Sequence, residues 1–257
     1  MTESVGDERL HAIWLATVAK LKEVVREFQI TQDELHEAGD YFDRLGQSGM
    51  CRSLIDVGLA MTSVDVTSPG GRGTRSNLEG PYHAQHPRRP DGRLVDRALP
   101  PDTPTLVLEG VVTDASSGEP LAGVDLDFWQ ADQDGIYDRE GAHLRGVVRS
   151  GPDGAYRIET VVPNDYSEHD HDPIGELFRA MNKPNTRAAH IHVKASLDGR
   201  ELLTTQIFMP TSSCLDRDYV EGAVSSDLIL DLVPTGGTNH YAGRFDLRLA
   251  TGAEAAT

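Results

Sequence analysis

The chain has 257 residues, of which 38% are hydrophobic and 25% are charged, an ordinary composition for a globular protein with one large domain or a core domain and a smaller appendage. Its net charge of −17 argues against nucleic acid and anionic membranes as partners. The two cysteines, Cys51 and Cys214, are far apart and have no metal-binding spacing. The sequence shows no signal peptide and no apolar run of membrane-spanning length. We therefore expect a cytoplasmic protein.

The first part of the chain, residues 1–66, is predicted to be a helical N-terminal region. Apolar residues recur at the spacing of one helix face between Glu8 and Phe28. The segment Thr31-Gln32-Asp33-Glu34 has the pattern of a capping box that opens a second helix, and a third helix is predicted over about residues 50–61. Three short helices form a small unit, so we expect them to pack on the larger part of the chain or on a second subunit.

Residues 67–104 are predicted to be an extended connector, because Gly, Pro and Arg dominate them. From residue 105 to residue 250 the apolar period becomes two, and strands are predicted at 106–112, 124–129, 146–149, 156–161, 188–196, 202–209, 227–233 and 243–249. Closely spaced strands without intervening helices predict an antiparallel β-sandwich. The predicted fold is therefore α+β and mainly β, with a flexible tail over residues 251–257.

Two histidines, His190 and His192, lie two residues apart on an apolar predicted strand, so both side chains face the same side. Two such imidazoles can bind a transition metal, although ordinary hydrogen-bonded histidines explain this pattern equally well. Tyr137 and Tyr166 each follow a predicted strand, at loop edges that can direct them to a common point. Two imidazoles and two phenolates suit Fe(III), whose charge favours the phenolate form.

Six segments occur in an order that resembles the intradiol ring-cleavage dioxygenases, in particular the catechol and hydroxyquinol 1,2-dioxygenase branch. The resemblance covers about residues 8 to 249 and is carried by LEGPY (78–82), WQADQDGIY (129–137), LRG (144–146), PNDY (163–166), RAAHIH (187–192) and TTQIF (204–208). It implies a non-haem Fe(III) enzyme that cleaves a catecholic ring with O2 and gives a cis,cis-muconate-type product.

The resemblance also implies roles for individual residues. The residues that match the iron ligands are Tyr137, Tyr166, His190 and His192. The resemblance also implies that Tyr166 leaves the iron when the substrate binds. Arg187 matches an arginine that stabilises negative charge developing on the substrate, and Gln206 matches a glutamine on the O2 side. The implied substrate pocket is lined by Leu54, Val57, Leu78, Pro81 and Tyr82. The implied partner is a second copy of the chain, in a homodimer formed through the N-terminal helices with a phospholipid at its interface.

Several alternatives stay open. Trp129-Gln130-Ala131 is more like the hydroxyquinol enzymes, which give maleylacetate or 3-hydroxymuconate, whereas Thr205-Gln206 is more like the catechol enzymes. A protocatechuate enzyme is a weaker match, because those enzymes lack the helical start. Two other classes are an Fe(II) oxygenase that uses both histidines and one carboxylate, and a β-sandwich module without enzymatic activity.

One segment departs from the family pattern. The family has Gly-Pro-Thr-Gly or similar after the second tyrosine, whereas this chain has His169-Asp170-His171-Asp172. We expect a solvated acidic loop there rather than a second metal site, because no apolar residues surround the two histidines in the sequence.

Overall fold

The computed structural model describes residues 7–68, 71 and 73–252, so most of the predicted tail over 251–257 lies outside the described residues. The chain forms two compact units, Met1–Cys51 and Arg52–Thr257. In the described ranges, none of the helices combines the length and the apolar character that crossing a bilayer requires.

The first unit contains helix α1 (Glu8–Phe28) and helix α2 (Gln32–Gln47). The Asp7 carboxylate caps α1 by accepting a hydrogen bond from the Leu10 amide, and the predicted capping box of Thr31 and Glu34 opens α2. The α1 helix has no buried residue. Its large apolar side chains are exposed, namely Leu10, Ile13, Trp14, Leu15, Leu21, Val24 and Phe28.

The second unit begins with helix α3 (Cys51–Thr67), continues through the connector, and then forms two sheets. One sheet consists of β2 (Asp125–Gln130), β3 (Arg145–Arg149), β5 (His190–Leu197) and β6 (Arg200–Phe208), in the antiparallel order β3-β2-β5-β6. The other consists of β1 (Thr105–Asp114), β4 (Ala155–Val161), β7 (Asp231–Pro234), β8 (His240–Arg244) and β9 (Leu247–Leu249). The two sheets and the helices give the predicted α+β fold.

The last strands differ in detail from the prediction. The segment predicted as a strand over 227–233 begins as a short 3-10 helix, Ser226–Leu228, and joins the sheet only from Asp231. The strand predicted over 243–249 is divided into β8 and β9, which both pair parallel with β1. Parallel pairing with a distant strand leaves no local signature, because it depends on contacts across the whole domain.

The expectation of a solvated loop at residues 169–172 is wrong for His169. Asp172 caps a further helix, α4 (Pro173–Ala180), and His169 Nδ1 bonds the same carboxylate at 2.7 Å. The His169 side chain is buried, and its ring lies 6.3 Å from the Phe178 ring and 5.6 Å from the Tyr219 ring. The apolar surroundings come from residues that are distant in sequence. His171 is exposed, as expected.

The two faces of β2 have different surroundings. Phe128 faces the other sheet, where its ring lies 5.8 Å from that of Tyr156, and Gln130 hydrogen-bonds Thr160 of β4. Asp127 and Trp129 alternate with these residues and therefore lie on the opposite, outer face. Their cross-strand partners on β5 are Lys194 and His192. The outer face of this sheet carries the polar side chains from which the site is built.

Candidate active site

A row of four side chains crosses the outer face of the four-stranded sheet. Arg145 pairs with Trp129, Trp129 with His192, and His192 with Gln206, one residue from each of the neighbouring strands. Directly opposite residues of antiparallel strands point to the same face. The Trp129 indole is fully buried and stacks on the His192 imidazole, with 4.6 Å between ring centroids and 5° between planes.

Four side chains of types that can bind a metal converge at the His192 position of this row. They are called here the donor set and consist of Tyr137, Tyr166, His190 and His192. His192 Nε2 lies 3.0 Å from His190 Nε2 and 3.2 Å from the Tyr137 hydroxyl. The Tyr166 ring lies 5.3 Å from the Tyr137 ring and 5.7 Å from the His190 ring. All four side chains are buried.

The two tyrosines are held in place by turns that touch each other. The Asp132 carboxylate accepts hydrogen bonds from the amides of Asp134 and Ile136, which shapes the turn before Tyr137. Gly135 in this turn has φ +77°, and a Cβ there would lie 2.4 Å from the Asp165 carbonyl oxygen. Glycine therefore allows the turn to approach the backbone next to Tyr166. Tyr166 itself pairs with Arg187 through two backbone hydrogen bonds.

The protonation of the donor set prepares it for a cation. Burial lowers the pKa of His190 to about 3 and also lowers the pKa of His192, so both imidazoles are neutral. His190 Nδ1 donates to the Ala188 carbonyl at 2.6 Å, which leaves the Nε2 lone pair directed at the donor set. Burial raises the pKa of both Tyr137 and Tyr166.

These residues fit a ferric ion. Two phenols buried together keep their protons unless a positive charge stabilises the phenolates, and a trivalent ion supplies that charge. His192 Nε2 lies within 3.0 Å of His190 Nε2 and 3.2 Å of the Tyr137 hydroxyl, so the lone pairs of three donor atoms meet at one point. Neutral imidazoles and phenolates are suitable ligands for iron, and the donor set contains no cysteine that would favour a softer ion.

Arg187 is fixed by two hydrogen-bonding partners next to the donor set. Its Nε donates to the Asp218 carboxylate at 2.9 Å and its Nη2 donates to Gln206 Oε1 at 2.8 Å. Burial alone would lower the pKa of Arg187, but Tyr166 and Asp218 raise it, so the guanidinium stays charged. Gln206 in turn donates to the Leu78 carbonyl at 2.9 Å. The Arg187 side chain is therefore fixed in position, and Gln206 links it to Leu78 of the connector.

The connector passes directly over the donor set. A Cβ built on Gly80 would lie 3.5 Å from His192 Cε1, and the Tyr82 ring stacks on the Tyr137 ring at 4.2 Å. Leu78 and Tyr82, two of the predicted pocket residues, are thus next to the site. Pro81 lies between Gly80 and Tyr82 and is exposed.

The other two predicted pocket residues, Leu54 and Val57, lie on α3. Val57 is buried, and its carbonyl accepts a hydrogen bond from the Glu221 amide at 3.0 Å. The 218–223 segment also supplies Asp218, which holds Arg187, so α3 is linked to the site through this segment. Leu54 is half-buried.

A second histidine cluster also contacts Trp129. It is called here the His83–His86–Asp127 network, and its three ligating atoms lie within 4.8 Å of one another. His86 Nδ1 bonds Asp127 Oδ1 at 2.5 Å, and its Nε2 lies 3.1 Å from Arg145 Nη1. A metal on Nδ1 would require a proton on Nε2, which would oppose the Arg145 donor. This cluster is a hydrogen-bond network rather than a metal site.

Several residues of the site were not predicted from sequence as site residues. Trp129 and Arg145 occur in the motifs that carry the resemblance, and the alternation of Asp127 and Trp129 on a strand could have placed them on the site face. Arg145 also donates to the carbonyls of Tyr82, at 2.6 Å, and Asp138, at 2.9 Å. It therefore connects the segment that carries Tyr82 with the segment that carries Tyr137. Asp218 has no signal in its local sequence.

Several known proteins are similar to this chain in sequence and in fold. Residues 78–251 match the family model described as Dioxygenase. The chain is 35% identical to 6-chlorohydroxyquinol 1,2-dioxygenase of Cupriavidus pinatubonensis, over 94% of this chain and 90% of that protein. It is 29% identical to chlorocatechol 1,2-dioxygenase of a Pseudomonas species, over 90% and 93%. The crystal structure of hydroxyquinol 1,2-dioxygenase from Pseudomonas putida aligns with a TM-score of 0.86 at 25% identity, over 96% and 94%.

Proposed function

We propose a detailed function for this chain from one premise: it belongs to the intradiol dioxygenase family and is therefore an enzyme that opens a catecholic ring with O2 between the two hydroxyl-bearing carbons.

The metal that we propose is Fe(III), held by Tyr137, Tyr166, His190 and His192. The observation that carries this proposal is the convergence of two buried phenols and two neutral imidazoles, with donor atoms 3.0 and 3.2 Å apart. When bound, the ferric ion would supply a Lewis-acid centre that favours the deprotonated form of the catecholic substrate, and this anionic ring is the electron-rich form that reacts with O2.

The chain's own residues bind the substrate and move its protons. With the ferric ion bound, Tyr166 would be a phenolate, and its oxygen would accept the proton that an incoming catecholic hydroxyl loses, because burial raises the pKa of this phenol. The Arg187 guanidinium stabilises negative charge that develops on the ring, because it is buried, charged and fixed by Asp218. Gln206 orients Arg187 by accepting its Nη2 hydrogen bond. Leu54, Val57, Leu78, Pro81 and Tyr82 are the proposed pocket lining.

An Fe(II) oxygenase with a facial triad is a poorer fit to the same site. Such a site needs a carboxylate beside His190 and His192. The carboxylate on the adjoining segment, Asp165, is engaged elsewhere, by the Ala189 amide at 2.8 Å and the Ser213 hydroxyl at 2.7 Å. The oxygen that lies beside His192 Nε2, at 3.2 Å, is instead the phenol oxygen of Tyr137.

The proposed substrate is catechol or a substituted catechol, which gives a cis,cis-muconate-type product. The alternative is hydroxyquinol, which gives 3-hydroxymuconate or maleylacetate, and relatives named for chlorinated rings of both kinds are similar to this chain. Parallel turnover of catechol, a chlorocatechol and hydroxyquinol, with the products identified by mass spectrometry, distinguishes these substrates.

We further propose that two copies of the chain form a homodimer through their N-terminal helices, with a phospholipid between them. The support is the apolar face of α1, on which Trp14 is 64% exposed and Phe28 is 71% exposed. Such a face normally marks an interaction site. Light scattering should give the dimer mass, and Trp14→Glu should lower it to that of a monomer. Lipid extraction with mass spectrometry tests the phospholipid.

We also propose a cytoplasmic location for this protein. Both cysteines, Cys51 and Cys214, have free thiols, which agrees with the reducing conditions of the cytoplasm.

The visible spectrum of the iron-loaded protein tests the metal proposal. Phenolate bound to Fe(III) absorbs visible light, so the purified protein should be red, and anaerobic catechol should shift the band. Tyr166→Phe should change this band and lower kcat by more than about a hundredfold. Tyr156→Phe is the matched control, because it removes a buried phenol hydroxyl that bonds the Phe245 carbonyl outside the site. A colourless protein that contains stoichiometric iron would refute the proposed ligand set.

A further inference from the structure

We propose that Trp129 is a positioning residue, which fixes the plane of the His192 imidazole and so keeps its Nε2 atom directed at the donor set. This inference rests on the function proposed above, because it takes His192 as an iron ligand, and it adds a residue on which iron binding depends. Trp129 lies outside the donor set and was not among the predicted site residues.

A histidine that binds a metal needs a second contact that fixes the orientation of its ring. The torsion that rotates an imidazole about its Cβ–Cγ bond has broad minima, so the side chain alone does not choose a ring plane. The usual second contact is a hydrogen bond from the ring nitrogen that does not face the metal. His190 has this contact, since its Nδ1 donates to the Ala188 carbonyl at 2.6 Å.

His192 has no such hydrogen bond. Its Nε2 faces His190 Nε2 at 3.0 Å, and its Nδ1 is buried without a hydrogen-bond partner among the described residues. The side chain is buried, so packing contacts are what can hold the ring. The two histidines of the donor set are therefore oriented by different means.

The Trp129 indole constrains His192 in place of a hydrogen bond. Trp129 is the cross-strand partner of His192, and the two rings are parallel within 5°, with 4.6 Å between their centroids. Rotation of the imidazole out of this plane would drive its edge into the face of the indole, and a close-packed interior resists such a clash. Stacking of the two rings also favours the parallel arrangement.

The indole is itself held in one position. Trp129 is fully buried, and the His83 ring lies 4.7 Å from its ring at an angle of 64°. His83 is in turn fixed by the hydrogen bond between its Nε2 and the Asp127 carboxylate, at 3.0 Å. The imidazole of His192 therefore lies against a ring that has little freedom to move.

The test compares three variants of the iron-loaded protein. Trp129→Leu removes the indole, Trp129→Phe keeps an aromatic ring that can stack, and Phe128→Leu is the matched control. Phe128 is also fully buried but lies on the opposite face of the same strand, so its loss weakens the interior at a position that does not face His192. Urea unfolding of the metal-free variants checks that they are folded.

The first measurement is the rate of iron release to a strong chelator, followed by the decay of the visible band. A contact that orients a metal-binding histidine changes metal affinity by about ten- to a hundredfold. Release should therefore be about tenfold faster from Trp129→Leu, less accelerated from Trp129→Phe and unchanged for Phe128→Leu.

The second measurement is the EPR spectrum of the ferric ion, which reports the geometry of its ligands independently of turnover. The spectrum should broaden in Trp129→Leu, because the His192 imidazole then adopts more than one plane, and it should stay sharp in Phe128→Leu. If Trp129→Leu fails to fold, Trp129→Phe decides, since its smaller ring covers less of the imidazole and should release iron about threefold faster than Phe128→Leu.

These measurements separate positioning from a packing role. If Trp129 only fills the interior, Trp129→Leu and Phe128→Leu release iron equally, which overturns the inference. Release from Trp129→Leu within about twofold of the wild-type rate, or an EPR spectrum that does not broaden, also overturns it. Wild-type protein that binds no ferric ion would instead refute the proposed function, and the inference with it.

Discussion

Two histidine clusters contact Trp129, and they differ in what their nitrogens bond. In the His83–His86–Asp127 network, His86 is bonded at Nδ1 by Asp127 and at Nε2 by Arg145, and His83 Nε2 bonds Asp127 at 3.0 Å. In the donor set, two Nε2 atoms face each other at 3.0 Å, and His192 Nδ1 has no partner in the described chain. Each cluster has two histidines close together. The nitrogens of His86 are both hydrogen-bonded, whereas the Nε2 atoms of His190 and His192 face each other.

This difference shows how a metal site is distinguished from a structural network. Neutral nitrogens directed at one point are strained as hydrogen-bond partners and suitable as ligands. Nitrogens already bonded to a carboxylate and a guanidinium are satisfied without a metal. Proximity of histidines is therefore a weaker criterion than whether the nitrogens that face one another already have hydrogen-bond partners.

Replacing one histidine of each cluster should give the largest contrast. His192→Ala removes a proposed ligand, so iron content and the visible band should be lost, and kcat should fall by more than about a hundredfold. His86→Ala leaves the donor set intact and should retain iron. Metal analysis and the visible spectrum of both variants check this. Retention of stoichiometric iron and colour by His192→Ala would show that the two clusters are not distinct in this way.

Removing the carboxylate of the network should reduce stability rather than metal binding. Asp127→Ala leaves His83 and His86 without their acceptor, and the loss of such a partly buried charged hydrogen-bond partner costs about 2–3 kcal/mol. Urea unfolding of the metal-free protein measures this cost. Asp127→Asn keeps one acceptor and should cost less. If Asp127→Ala instead lost iron without a change in stability, the network would have to be a metal site.

The residue that joins the clusters should have the smallest effect of the three. Arg145→Lys keeps the charge but loses the guanidinium geometry that bonds His86 and the carbonyls of Tyr82 and Asp138. We expect iron content to be unchanged and kcat/KM to fall by about tenfold, because the tyrosine-bearing segments shift. Arg149→Lys, on the same strand but exposed, is the control and should leave kcat/KM unchanged.

The spacing of apolar residues made the helices and most strands predictable from sequence, because a helix repeats every 3.6 residues and a strand every two. The spacing of apolar residues predicts α1 over Glu8–Phe28, as the structure has it, and the His-x-His pattern correctly places both histidines on one face of β5. These are local properties of the chain. By contrast, α1 has no buried residue, so its periodicity indicates a helix without identifying what covers the apolar face.

Features that depend on distant contacts could not be predicted in the same way. His169 reads as part of an acidic loop, yet Phe178 and Tyr219 surround it in the fold. Asp218 and Glu168 are ordinary acidic residues in the sequence, and their contacts with Arg187 and Tyr219 form only when the loops pack together. A charged residue is recognised as part of a site by its partners, which its own neighbours in sequence do not reveal.

The opposite faces of β2 and β5 have a consequence for how this protein can change over generations. The row from Arg145 to Gln206 lies on one face, and residues such as Phe128 and Ile191 lie on the other, between the sheets. Residues on the outer face are constrained by the site, and residues on the inner face are constrained by packing between the sheets. Mutations that alter the preference for a ring therefore need not disturb the interior. A mutant library confined to outer-face positions that belong neither to the donor set nor to the row nor to the network, such as Lys194 and Thr204, should therefore contain fewer unfolded members than a library directed at the inner face.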